Sequence, residues 1–104
     1  LELQESRNDT ARDLYNQALP IYRQLGSRLG EANTLHSLGN LELQESRNDT
    51  ARDLYNQALP IYRTIRNRRG EADTLHALGF ASEAMNDEAV ATAGVRPIPP
   101  RPSR

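Results

Sequence analysis

The chain has no cysteine, no tryptophan and no lysine. Without thiols, disulfides, cysteine-ligated zinc, iron–sulfur clusters and thiol nucleophiles are excluded. Without lysine, Schiff-base chemistry and a phosphate-loop lysine are excluded as well. Aromatic residues make up only 5% of the chain, four tyrosines and one phenylalanine. Neither sign of charge dominates: 13 basic residues face 14 acidic ones, and the net charge of −1 argues against general nucleic-acid binding. No apolar run nears the roughly 18 residues of a membrane helix, so no membrane partner is expected. An HExxH motif, a nucleotide loop and a nucleophile elbow are all missing. These absences point away from an enzyme and imply no cofactor and no metal. The apolar share of 37% is low for a self-contained globule.

What the chain has in abundance is repetition. Residues 1–40 and 41–80 align without a gap, and LELQESRNDTARDLYNQALPIYR occurs at both 1–23 and 41–63. Only eight of forty positions differ: 24, 25, 26, 27, 29, 33, 37 and 40. A third, degenerate unit opens at 81, keeps Ala91 in step with Ala11 and Ala51, and fades at Gly94 and Pro97. The organisation is therefore a repeat region over 1–93, followed by a tail over 94–104.

Each unit reads as two helices. The first spans about Gly30 to Gln44, where Ala32, Leu35, Leu38 and Leu41 or Leu43 form a stripe at helical spacing. Gly39 falls inside that stripe. Glycine costs about 1 kcal/mol against alanine in a helix, which predicts close approach of a neighbouring backbone. The second spans about Asp49 to Ile65, with Ala51, Leu54, Tyr55, Ala58, Leu59, Tyr62 and Ile65 on one face. Residues Thr50 to Asp53 fit a capping box, and Asn48 and Asp49 are alternative caps. The polar ESRND between the helices reads as a turn. Pro20 and Pro60 predict a bend within each second helix. Residues 70–86 read as a further first helix, and the opening LELQESR as the last two turns of one.

These residues carry a family resemblance. Leu35-x-x-Leu38-Gly39, with Ala51, Tyr55 and Ala58 following at fixed spacing, resembles the tetratricopeptide repeat. Leu75, Leu78, Gly79 and Ala91 repeat the pattern, and Ala11, Tyr15 and Ala18 repeat its second half. The chain departs from the family pattern at Glu42, where an aromatic residue is usual, and it lacks the family's proline at the end of the second helix. The forty-residue period, with its GEA-x-TLH-x-LG phrase, is similar to bacterial arrays found beside signalling ATPase or protease-like domains. The extra length over the usual period is expected in the second helix and the following turn. The resemblance implies an all-α solenoid of antiparallel helix pairs, a right-handed α-α superhelix that binds protein or peptide on its concave face without catalysis. Asn33, His36, Asp73 and His76 are the candidate groove residues.

The ends of the repeat region raise a second expectation. A solenoid needs about three repeats, because each buries its apolar face on a neighbour. Leu1 enters a unit in the middle of its first helix, so the sequence reads as a piece of a longer or stacked array. The helix at 70–86 is expected to dock on the helix at 9–25 of another molecule, giving a head-to-tail homo-oligomer or filament. Leu75 and Leu78 would form one side of that interface, and Ala11, Leu14, Tyr15 and Ala18 the other. Copies alike even at polar, outward positions suit a uniform lattice, a recent duplication or a consensus design, where a groove tuned to one irregular ligand would normally carry different residues in each unit.

GVRPIPPRPSR at 94–104 favours an extended polyproline conformation. Within it Arg96, Pro99 and Pro102 match one orientation of an SH3-domain ligand and Pro99, Pro102 and Arg104 the other, with a flexible end and a strap packed on a solenoid surface as the alternatives. His36 and His76 are equivalent residues a repeat apart, too far to share a metal ion, and a structural role is expected for both. Ser37 is not expected to pair with His36 for catalysis. The run Arg63, Arg66, Arg68 and Arg69 is read as helix capping or pairing with Glu71 and Asp73. Tyr15 and Tyr55 are expected in the core, with Tyr22 and Tyr62 placed to offer hydroxyls to a groove.

Overall fold

The computed structural model describes residues 2–93, with side chains described over 7–86. The candidate docking residues Arg96, Pro99 and Pro102 lie outside the described residues. The described residues form four helices and no strand: α1 (Glu2–Leu25), α2 (Arg28–Gln44), α3 (Asn48–Thr64) and α4 (Arg68–Ala93). Two 17-residue helices and two three-residue turns fill the forty-residue period. The extra length therefore lies in helix, and the turns are short. α1 packs on α2, α2 on α3 and α3 on α4, with a lighter contact between α2 and α4. Among the described residues α1 and α4 do not meet. This is an all-α stack of helix pairs, as the periodicity predicts.

The apolar stripes explain the packing. Ala32 and Leu35 of α2 meet Ala58, Ile61 and Tyr62 of α3 in one buried cluster, with Leu19, Leu54 and Ile65 against it. Gly39 is a point of close approach. A Cβ there would lie 2.6 Å from the Tyr55 ring, so the close neighbour is a tyrosine side chain rather than the expected backbone. The same device recurs where Gly30 lies under Tyr22 and Gly70 under Tyr62. A flat ring on a bare helix backbone lets two helices approach closely while burying the ring face. The hydroxyls are anchored too: Tyr55 Oη donates to Asn40 Oδ1 at 2.6 Å, and Tyr62 Oη donates to Asn33 Oδ1.

All three turns are built alike. Gly26, Ser46 and Arg66 take left-handed backbone, with φ of 71°, 63° and 62°. The next residue in each turn returns its N–H to the helix behind it: Ser27 to Tyr22 O, Arg47 to Glu42 O and Asn67 to Tyr62 O. This is the helix-ending motif that glycine usually occupies, yet glycine stands at only one of the three positions. The following helices start differently. Ser27 Oγ accepts from Gly30 N–H at 3.3 Å, and the equivalent Asn67 Oδ1 accepts from Gly70 N–H at 2.8 Å. α3 has no side-chain cap, and its cap position is Arg47. The expected caps Thr50, Asn48 and Asp49 therefore do not act as such: Asn48 already lies in the helix, and Asp49 accepts only from the adjacent Thr50 N–H. Pro20 and Pro60 stay exposed, and each helix continues for a further turn.

One expectation fails informatively. The segment 1–23 is identical to 41–63, but it does not break at its ESR. In the second unit Glu45, Ser46 and Arg47 form a turn, whereas Glu5, Ser6 and Arg7 continue inside α1. Residues 2–7 are thus part of one long helix, not the end of a separate one. The turn at 45–47 is held from outside by α1. Arg12 donates to Glu42 at 2.9 Å and to Glu45 at 2.8 Å, and Arg47 adds a bond to Glu42. At 5–7 the same three residues take the helical course instead. α4 likewise runs on to Ala93 rather than ending near 86. There Ser82 and Met85 replace the two glutamates, and Arg52 finds only the Met85 sulfur at 3.7 Å.

Two substitutions test this account in urea melts. Gly39→Ala lowers stability by about 1–2 kcal/mol, because overpacking against Tyr55 exceeds the helix-propensity gain. Arg66→Gly raises it by up to about 1 kcal/mol by relieving left-handed strain.

Candidate functional site

Short turns make successive helices antiparallel, so α2 and α4 run in the same sense. The face they share carries the two cavities described here. The first, of about 310 Å³, is lined by Asn33, His36 and Ser37 of α2, by Tyr62 of α3, and by Asn67, Arg69, Gly70 and Asp73 around the start of α4. The second, of about 430 Å³, is lined by Asn40, Leu43 and Gln44 of α2 and by Phe80 of α4. Asn33 and Leu43 are ten residues apart, so the polar and apolar ends of this face lie about 15 Å apart along α2.

His36 is the centre of the polar end. It is half-buried, its Nδ1 lies 3.0 Å from Thr74 Oγ1, and its ring lies 5.3 Å from that of Tyr55 and 6.4 Å from that of Tyr62. Burial pushes its pKa down, and the nearby Asp73 carboxylate opposes that only in part. The imidazole is therefore neutral at pH 7. Burial also raises the Tyr55 and Tyr62 hydroxyls, with Asp73 adding to the effect on Tyr62. Both phenols stay protonated and donate to their asparagines. Ser37 lines the same cavity, but the described partner of His36 is Thr74.

Around this end the arginines are largely engaged. Arg63 and Arg68 both reach Glu71, at 3.0 and 3.3 Å, and Arg69 lies 3.8 Å from Asp73. The same linkage joins Arg23 and Arg28 to Glu31 in the preceding unit. At the far end of α2, Arg12 is pushed above its ordinary value, first by its bond to Glu42 and then by Glu45. Desolvation pushes the Glu45 carboxyl up, but bonds from Arg12 and Asn8 outweigh it and the net shift is downward. Among the described residues no group of His, Asp and Glu is placed to hold a metal ion, and no helix is long and apolar enough to cross a membrane. The face offers amide, imidazole, guanidinium and carboxylate groups at one end and a phenyl ring at the other. That set suits hydrogen bonding and apolar contact with a bound chain.

Of the four groove candidates, Asn33, His36 and Asp73 come together, whereas His76 is exposed and lines neither cavity. The two halves of the expected stacking interface do not meet within the chain. Leu75 and Leu14 are exposed, while Leu78, Ala11, Tyr15 and Ala18 are half-buried. Tyr62 does present its hydroxyl to the groove. Asn67, Arg69 and Phe80 were not foreseen, but a signal for them exists in the sequence. They stand at positions where the two units differ, as do Asn33, Ser37, Asn40 and Asp73.

A family model described as tetratricopeptide repeat matches residues 1–64. No curated protein and no solved structure matches the chain.

The buried His36 makes stability depend on pH. Its folded pKa lies below its unfolded value, so the unfolded chain takes up the proton first. Stability is complete above the ordinary value of 6.5 and declines as pH falls below it. Glu45 adds a further loss, but only as pH falls through the carboxylate range. Urea melts across this range show the first decline in the native chain and lack it in His36→Gln.

Proposed function

The chain belongs to the tetratricopeptide repeat family, whose repeats generally mediate protein–protein interaction, and from that premise we propose that it is a non-enzymatic scaffold binding an extended segment of a partner protein along the α2–α4 face. One observation carries this reading. Of the eight positions at which the two units differ, five place a residue in the two cavities: 27/67, 29/69, 33/73, 37/77 and 40/80. Variation concentrated on one face, against a background of identity, is what a binding surface needs to read a non-repeating ligand. The 15 Å between the ends corresponds to about four or five residues of extended chain at roughly 3.3 Å each. The segment would carry a hydrogen-bonding group at one end and an apolar side chain at the other.

A second reading concerns the ends of the stack: the chain associates with copies of itself, head to tail, as a structural subunit. What favours it is exposure at matched positions. Leu35 is 1% exposed but its counterpart Leu75 is 45%, and Ile61 is 6% exposed but its counterpart Ile21 is 54%.

Selection of a displayed peptide library on the full chain tests the first reading. Recovered peptides share an apolar residue four or five positions from a polar one. Asn33→Ala, Arg69→Ala and Phe80→Ala each weaken their binding by about tenfold. Failure to recover peptides, or binding indifferent to all three changes, defeats the groove.

A further inference from the structure

We propose that Gly79 is an empty socket for Tyr15 of a second copy, so that α1 of one molecule lies beside α4 of another as α3 lies beside α2 within the chain. This rests on the self-association reading and assigns its contact surface.

The tyrosines and the helical glycines among the described residues pair off in a way that leaves one of each over. Tyr22 covers Gly30, Tyr55 covers Gly39 and Tyr62 covers Gly70. The fourth tyrosine, Tyr15, is equivalent to Tyr55 but only half-buried. The equivalent of Gly39 is Gly79, and among the described residues nothing lies within 4 Å of a Cβ there. A glycine inside a helix costs about 1 kcal/mol against alanine. At Gly30, Gly39 and Gly70 a tyrosine ring accounts for it; at Gly79 none of the described rings does.

The surfaces around the pair match by construction of the sequence. Residues 9–23 of α1 are identical to 49–63, which include the α3 face packed on α2. On α4, Ala72, Leu75 and Gly79 are identical to Ala32, Leu35 and Gly39, the α2 residues that α3 covers. Burial separates the two faces of α4 cleanly. Thr74 and Ala81 are fully buried, whereas Ala72, Leu75 and Gly79 are exposed. On α1, Leu14, Ile21 and Leu25 are exposed, while their counterparts Leu54, Ile61 and Ile65 are wholly or partly buried. The occupant that fits each end is thus a surface already packed once within this chain. Because the two surfaces differ, the contact is heterologous, and every added copy leaves the same two ends free.

One departure sets its strength. Asn40, which accepts the Tyr55 hydroxyl, is replaced at the equivalent position by Phe80. The Tyr15 hydroxyl gains no such acceptor, and no peptide bond tethers the two helices. The contact is therefore weaker than its internal model and depends on concentration.

Light scattering and sedimentation across a wide concentration range supply the test. The native chain shows a mass that rises with concentration without stopping at a dimer. Gly79→Leu fills the socket and weakens association by about tenfold or more, while α4 remains folded because nothing opposes a side chain there. Tyr15→Ala has the same effect, and Ile21→Arg reproduces it at an exposed site that leaves folding intact. A mixture of Gly79→Leu with Ile21→Arg forms a one-to-one complex and stops, since each supplies the half that the other lacks. Association that is indifferent to Gly79→Leu and Tyr15→Ala overturns the socket but leaves self-association standing. A mass that never rises overturns both.

Discussion

A tyrosine ring lying flat on a helical glycine sets the spacing of this protein. The pairs Tyr22–Gly30, Tyr55–Gly39 and Tyr62–Gly70 occur at each successive helix contact. Each couples two requirements that normally compete. The helices must come close enough to exclude water, and a bulky apolar group must be buried to drive them together. Removing the Cβ on one side makes room for the ring on the other. The Tyr55 and Tyr62 hydroxyls each donate to an asparagine of α2, Asn40 and Asn33, and no buried polar atom is left without a partner among the described side chains. Three of the chain's five aromatic residues are committed to this role.

The second constraint is electrostatic and acts across units. Glu42 is buried, and two arginines from different parts of the chain satisfy it, Arg12 from α1 and Arg47 from the turn itself. A buried carboxylate without a cation is costly, so the turn and its neighbour stabilise each other. This explains how one 23-residue segment follows two backbone courses. Local preference is the same in both copies, and the difference comes from what lies alongside. Where the preceding helix is present, the segment folds into helix, turn and helix. Over residues 2–23 the same sequence is a single helix.

The same division separates the two surfaces. The α2–α4 face holds the polar and apolar cavities, and the residues that distinguish one unit from the other gather there. The outer flanks of α1 and α4 carry the residues that the units hold in common. A repeat protein under two demands divides in this way. Positions that meet other units must stay alike for stacking to continue, and positions that meet nothing internal are free to diverge.

Much of this was legible in the residues. Leu35, Leu38, Ala51, Tyr55 and Ala58 at their spacing were enough for two helices per unit, because burying an apolar stripe is the same requirement in any stack. Asn33, His36 and Asp73 were found on one face for the same geometric reason. Other features waited on the fold. That Gly39 receives a ring, that Asn67 caps α4, and that Arg69 and Phe80 line the groove all depend on which helix lies opposite. Most decisively, LELQESRNDTARDLYNQALPIYR contains no instruction for whether its ESR turns. Periodicity records what one segment needs to bury, whereas the backbone course at a turn depends on the charge that a separate helix brings to it.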